Sequence, residues 1–210
     1  MTAAVDHLVY ACPELGSAVE RIAALTGVRA AYGGRHPGLG THNALLSLGP
    51  RTYLEIIAPD PYQPRPAGPR PFGLDDLSAG ALRAWAAAPD DLDVTLQRCR
   101  AAGFGYGPVV ARRRRTAEGH DLVWRMTESS SLAGDGVVPF LIDWAGSPHP
   151  AESAPGGVTL AEFRLSSSDP GRLSARLRIL GLDLPVEAAD RPALRAILTG
   201  PGGERLALDG

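Results

Sequence analysis

The chain contains no lysine: all 21 of its basic residues are arginine. That absence removes Schiff-base chemistry, a pyridoxal phosphate anchor and a P-loop lysine, and it fits a GC-rich genome. Cysteine is nearly as scarce, with only Cys12 and Cys99 among 210 residues. Neither lies in a CxxC pair, so a disulfide framework is not indicated and a reduced, cytoplasmic setting is expected. There is no basic-then-apolar leader and no run of about 18 apolar residues, which argues against export and membrane insertion. A formal net charge of -2 gives no attraction to nucleic acid or to a membrane surface. No GxGxxG opens a helix, and GxSxG and HExxH are absent, so nucleotide and serine-hydrolase readings have no foothold.

Hydrophobic residues make up 44% of the chain, enough for a core. Within the apolar residues lie two polar interruptions. Asp6-His7-Leu8-Val9-Tyr10-Ala11 reads as a strand carrying a histidine, and Tyr53-Leu54-Glu55-Ile56-Ile57-Ala58 as a strand carrying a carboxylate. Strand alternation places Val5, His7, Val9 and Ala11 on one face, and Tyr53, Glu55 and Ile57 on one face. A glutamate inside an apolar strand requires a partner. A histidine on a neighbouring strand can serve, or both can hold a metal ion.

The elements fall into a repeated order of strand, helix and three strands. In residues 1–60 the His7 strand is followed by a helix over 14–25 with a glycine stop at Gly27. A strand near 28–32, a glycine-rich loop over 33–40 and a hairpin of strands 43–48 and 52–58 complete it. The proline-rich segment 61–79 reads as a linker or surface excursion. Residues 80–146 repeat the order, with a helix over 92–102 and strands over 109–114, 122–127 and 137–144. Turns are expected at Glu118-Gly119 and Asp135-Gly136. After a second linker over 147–157, residues 158–210 give a third and shorter unit, with Asp169 capping a helix that stops at Gly181.

This organisation resembles the vicinal oxygen chelate superfamily and, within it, the glyoxalase-like domain proteins. The resemblance rests on Asp6-His7-Leu8-Val9-Tyr10, Gly34-Arg35-His36-Pro37, Gly40-Thr41-His42-Asn43-Ala44-Leu45-Leu46-Ser47-Leu48-Gly49 and Tyr53-Leu54-Glu55-Ile56-Ile57-Ala58-Pro59. A weaker echo is Pro139-Phe140-Leu141-Ile142-Asp143-Trp144. The resemblance implies an α+β fold in which βαβββ modules form a curved mixed sheet around a cup, as in the glyoxalase, bleomycin-resistance and dioxygenase proteins. It implies that His7 and Glu55 are ligands of one divalent ion (zinc, nickel, manganese or iron), with Glu55 also the catalytic base. The matching positions of the second unit offer Ala84 or Trp85 and Ile142 or Asp143, so the superfamily's four-ligand set is incomplete and a metal-free cup is the alternative. The implied activities are isomerase, lyase or dioxygenase chemistry on a small carbonyl or aromatic metabolite. Sequestration of a small molecule without turnover is the other reading, and either way the resemblance implies a small-molecule ligand as partner, for a monomer or a homodimer.

Several residues stand beside this pair as ligand contacts. By alternation only one of His42 and Asn43 can face the cup. Asn43 is favoured, because its face also carries Ser47. His42 as a third ligand would suit iron and dioxygen. His36 in its glycine-rich loop either reaches a ligand or lies in solvent. Tyr53 shares the Glu55 face. Either Trp124 or Arg125 lines the cup, Arg125 as a clamp for a carboxylate. Trp85 falls near where the second unit meets the cup, though core packing is its other reading, as for Trp144. The arginines of 112–115 read chiefly as a solvated edge, with an anion-binding patch as the lesser reading.

Overall fold

A computed structural model describes residues 2–115, 121–128 and 136–210. The turns expected at Glu118-Gly119 and at Asp135 lie outside the described residues. Seventeen segments follow in chain order, of which two are short 3-10 turns. The first third carries β1 (Ala3–Ala11), α1 (Leu15–Thr26), β2 (Ala31–His36), β3 (Thr41–Gly49) and β4 (Thr52–Pro59). The second carries β5 (Ala81–Pro89), α2 (Leu92–Ala101), β6 (Val109–Arg115), β7 (Asp121–Thr127) and β8 (Phe140–Asp143). The last carries β9 (Thr159–Ser167), α3 (Pro170–Leu180), β10 (Val186–Ala188), β11 (Ala193–Thr199) and β12 (Arg205–Asp209).

Eight strands form one curved sheet in the order β2-β3-β4-β1-β5-β8-β7-β6. Its two halves have the same internal order and meet where β1 runs antiparallel to β5. The edge strands β2 and β6 approach each other, so the sheet curls nearly closed around a cup. The architecture is the α+β curved mixed sheet that the sequence implies.

The third unit keeps the element order but not the pairing. Its separate four-stranded sheet runs β10-β9-β11-β12. Here β9 pairs directly with β10 in parallel, through α3 as the crossover that a parallel pair needs. Its buried face does not add to the cup. Phe163, Leu165, Leu194, Ala196, Leu198, Leu206 and Leu208 pack with the three helices against the convex side of the large sheet, in one continuous core. The outer face is charged, with Glu162 paired to Arg164 and Arg205.

Local chemistry explains the helices. The Glu14 carboxylate accepts from the backbone N–H of Gly16 and Ser17, and Asp91 and Asp169 accept from Val94 and Arg172. α1 then buries Leu15, Ala18, Val19, Ile22 and Thr26 along one stripe and ends at Gly27, whose φ of 75° is the left-handed region that glycine tolerates.

Three expectations change. β2 lies at Ala31–His36 rather than 28–32, so the first half of the predicted glycine-rich loop is strand, and the turn is confined to 37–40. β8 is shorter than 137–144, because the Val137 carbonyl is turned to accept from the Trp85 indole instead of a neighbouring strand. The second linker, 147–157, contains a 3-10 run at Pro150–Glu152 that is buried through Pro150 and Ala151. Residues 61–79 are the surface excursion that their composition suggests, mostly exposed, with a 3-10 run at Pro71–Asp76 and Leu74 buried.

Candidate functional site

The cup encloses a cavity of about 600 Å³. Its floor is polar and its walls are largely aromatic. The floor begins with an irregularity in β1. Val5 stands opposite Ala87 and His7 opposite Ala86, so Asp6 is an extra residue in the ladder, a β-bulge. The bulge breaks alternation. Val5 packs toward the convex core, whereas Asp6 and His7 both turn inward. The sequence expectation that Val5 shares the His7 face is thereby corrected.

Asp6 is only 1% exposed and is the hub of the floor. Its Oδ1 lies 2.7 Å from His7 Nδ1, and its Oδ2 lies 2.9 Å from Trp144 Nε1 and 3.1 Å from His149 Nε2. Burial alone would raise the Asp6 pKa. The hydrogen bonds from His149 and His7 outweigh that and hold the carboxyl well below the usual carboxylate range. The carboxylate only accepts, so each of these ring nitrogens carries its hydrogen toward Asp6. For His149 the tautomer is fixed twice, since Nδ1 accepts from the Ala151 backbone N–H. For His7 the consequence is a lone pair on Nε2 directed into the cup. Tyr53 stacks on its ring with centroids 4.6 Å apart, and Phe140 meets it edge-on at 5.3 Å.

Glu55 faces His7 across the floor, with Oε2 3.9 Å from His7 Nε2. Its Oε1 accepts from Asn43 Nδ2 at 2.6 Å. The same amide nitrogen lies 3.2 Å from His36 Nε2, which therefore accepts, while His36 Nδ1 donates to Thr41 Oγ1 at 2.9 Å. Burial holds the His36 pKa below its ordinary value. The Asn43 carbonyl oxygen is buried with no hydrogen-bond partner, pressed against the backbone of Gly33. A buried unsatisfied acceptor is rare outside functional sites. His7 Nε2 and Glu55 Oε2 are two acceptors facing each other, too far apart to bond. The space between them suits a proton or a ligand group that carries one.

The structure thus brings His7, Glu55, Asn43, Tyr53 and His36 to one cavity. It does not bring the other two candidate contacts there. Trp85 is fully buried on the convex side, where its ring meets Phe163 at 5.2 Å. Its neighbours Ala84 and Ala86 take the cup face of β5, as alternation requires. Arg125 points away from the cup to Asp93 of α2 at 2.8 Å and Asp143 at 3.7 Å, and Trp124 lines the cavity instead. His42 also lies outside it, edge-on to Tyr32.

Sequence reasoning missed Asp6, His149 and Phe72 as parts of the site. An acid in an apolar strand beside a histidine was a signal, because a buried carboxylate must find donors somewhere. Phe72 comes from the proline-rich segment, held at φ 60° against Phe140, and with Pro69, Arg70 and Pro71 it roofs one side of the cavity.

The donor set was tested against a divalent ion. His7 and Glu55 give two ligands, and Glu55 already shares one oxygen with Asn43. The positions facing them on β5 and β8 are Ala84, Ala86, Phe140 and Ile142, which have no donor atoms in their side chains. Among the described residues no group of three or more His, Cys, Asp or Glu could hold a metal ion. The residues present do not fit the four-ligand site that the resemblance implies.

Comparison with known proteins bears on the family and the fold. The sequence profile described as "Glyoxalase-like domain" matches residues 5–181. A hypothetical protein from Staphylococcus aureus has a similar structure, with a TM-score of 0.64 and 14% identity over 99% of this chain and 85% of its own. Methylmalonyl-CoA epimerase in complex with methylmalonyl-CoA and NH4+ gives a TM-score of 0.47 at 20% identity, over 71% of this chain and 100% of its own. The epimerase from Mycobacterium tuberculosis gives 0.44 at 20% identity, over 66% and 85%. The first of these structural likenesses shows the fold alone. No curated protein sequence matches the chain.

Proposed function

The chain belongs to the glyoxalase-like domain family of the vicinal oxygen chelate superfamily, and from that premise we propose that it is an enzyme that moves a proton next to a carbonyl group of a small, partly aromatic metabolite. One observation carries this reading. Glu55 sits at the bottom of an apolar cup with one oxygen held by Asn43 and the other turned to the lone pair of His7, 3.9 Å away.

In this reading Glu55 Oε2 removes the proton from the carbon beside the carbonyl, and the C–H electron pair moves to the carbonyl oxygen as an enolate. His7 Nε2 is the second station for that proton. The Asp6 carboxylate at 2.7 Å from Nδ1 stabilises the imidazolium that results. Return of the proton to another atom, or to the other face of the same carbon, completes an isomerisation with no co-reactant. Tyr53, Phe72, Trp124, Phe140 and Trp144 exclude water and hold the flat part of the substrate.

Phenylpyruvate is a suitable probe, being an enolisable aromatic 2-oxo acid. In deuterated buffer the protein should accelerate exchange at C3, followed by NMR, and Glu55→Gln should reduce that rate by about a hundredfold or more. Exchange at the uncatalysed rate with the wild-type protein would remove this reading. A second reading, sequestration without turnover, is favoured by the apolar wall of Ala84, Ala86, Phe140 and Ile142, which supplies no second acid or base. Tight binding without exchange would identify it.

A further inference from the structure

The mouth of the cup is charged, and the proton-transfer reading does not use that charge. Strand register decides which arginines face inward. On β6, Val110, Arg112 and Arg114 stand opposite Met126, Trp124 and Leu122 of β7. Met126 and Trp124 pack on the cup side, so Arg112 and Arg114 share that face, and both border the cavity. Arg113 stands opposite Val123, which is 42% exposed on the outer surface. The solvated-edge expectation for 112–115 therefore stands for Arg112 and Arg113, which are exposed, while Arg114 is half-buried, and all three border the mouth of the cavity. The Arg115 side chain lies outside the described residues.

The two inward guanidinium groups differ in their engagement. Arg114 reaches across the seam between the edge strands and donates to the Gly33 carbonyl of β2. Its charge is felt inside the cup, since it opposes protonation of His36 and favours ionisation of Tyr53. Arg112 has no hydrogen bond or ion pair among the described residues. Arg70 also borders the cavity, but Asp75 neutralises it at 2.5 Å. Residues two apart on a strand are separated by about 7 Å, so Arg112 and Arg114 can flank one carboxylate. Trp124 lies directly beside Arg112 on the neighbouring strand, and Trp144 meets Trp124 with ring centroids 5.6 Å apart. A flat apolar group is thus led from the arginines down to the floor.

We propose that the ligand of the cup is a small organic carboxylate, bound with its anionic end between Arg112 and Arg114, its apolar body along Trp124, Trp144 and Phe140, and its reactive carbon at Glu55. The inference rests on the proton-transfer reading for what happens at Glu55, but the anion subsite stands on the arginines alone. Two points make a carboxylate the fitting anion. The guanidinium fork matches its planar oxygens. The Glu55 carboxylate at the opposite end repels a ligand that enters acid-first, which fixes the orientation.

Binding measured by calorimetry separates the subsite from the chemistry. The probes are 3-phenylpropanoate and its neutral isostere 3-phenylpropanamide, neither of which carries a ketone or aldehyde to acidify a C–H bond. The carboxylate should bind at least about tenfold more tightly than the amide at low salt, a preference that falls as salt is added. Arg112→Gln should remove that preference and leave amide affinity unchanged. Arg125→Gln makes the same charge change on the outer face of β7 and should alter neither probe. Arg114→Gln should act like Arg112→Gln, but it also cuts the seam contact to Gly33, so Arg112 is the deciding position. Equal affinity for the two probes, no binding of the carboxylate at millimolar concentration, or an equal effect of Arg125→Gln and Arg112→Gln would each overturn the proposal. Glu55→Gln should keep the carboxylate preference. Loss of exchange in that variant with binding retained, or absence of exchange in the wild type with the preference present, bears on the proton-transfer reading and not on the subsite.

Discussion

Removing the Asp6 carboxylate should damage both the stability of the protein and the state of His7. In Asp6→Ala, the ring N–H groups of His7, Trp144 and His149 lose their common acceptor. These residues are 3%, 8% and 2% exposed, so water does not readily replace it. An unsatisfied buried donor costs about 1–3 kcal/mol, and breaking a buried charged arrangement typically costs about 3–5 kcal/mol in total, because the carboxylate's own desolvation penalty is relieved. About 3–5 kcal/mol is a large share of the roughly 5–15 kcal/mol that holds a domain folded. Asp6→Asn should cost less, about 1–3 kcal/mol. With its oxygen toward Trp144 and His149, its amide nitrogen faces His7 Nδ1 and forces the His7 hydrogen onto Nε2, where it points at Glu55. Urea unfolding at pH 7 measures the stability change, and imidazole ¹⁵N NMR reads the tautomer. A further signature is pH dependence. The folded carboxyl lies below its ordinary value of 3.8, so the stability it contributes is complete above that value and is lost as pH falls toward the folded one. Asp6→Asn should lack that acid slope. Asp6→Ala within about 1 kcal/mol of wild type, or an unchanged His7 tautomer in Asp6→Asn, would refute the hub.

Other perturbations give separate outcomes. A Cβ at Gly33 would lie 2.3 Å from the Asn43 side-chain oxygen, so Gly33→Ala should swing Asn43 off Glu55 and lower C3 exchange by about tenfold or more, at a cost of roughly 1–3 kcal/mol by chemical denaturation. Trp85→Ala should destabilise by about 3–5 kcal/mol yet leave the affinity for 3-phenylpropanoate unchanged, because the side chain faces the convex core. Burial pushes the Cys12 thiol up to about 12, and Cys99 is also buried and raised, so neither should react with a thiol reagent at pH 8 until urea unfolds the chain. Burial also holds His36 below its ordinary value of 6.5, so the folded state resists its protonation. Stability from this source should be complete above that pH and decline below it, and His36→Gln should remove that part of the slope.

The fold was legible where physical chemistry is local. Helix starts at Glu14, Asp91 and Asp169 and the glycine stops at Gly27 and Gly181 follow from caps that adjacent residues supply, and the strands of Glu55 and Asn43 follow from alternation. What the sequence could not disclose depends on pairing across the chain. The bulge at Asp6 adds one residue to a ladder with Ala86 and Ala87, some 80 positions away, and nothing near Asp6 announces it. Trp85 and Arg125 were misplaced for the same reason. Alternation limits each to one of two faces, and only the register with a neighbouring strand, β8 for Trp85 and β6 for Arg125, decides which. The proline-rich segment 61–79 reads by composition as a linker or surface excursion, and nothing in it announces that residues 69–73 line the cup, with Phe72 in a left-handed conformation that sequence does not predict for phenylalanine. The third unit repeats an order of elements and not an order of strands, a distinction that exists only in hydrogen-bond partners.

Among the described residues no helix is long and apolar enough to cross a membrane. The most direct test is an experimental structure of the protein with 4-acetylbenzoate, whose flat ring separates the carboxylate from an enolisable methyl carbon. The account predicts the carboxylate against Arg112 and Arg114 and the acetyl methyl carbon within about 3.5 Å of a Glu55 oxygen, a distance at which the proton can move. A complex with the carboxylate at the floor beside Glu55, or with the ligand outside the cup, would contradict it.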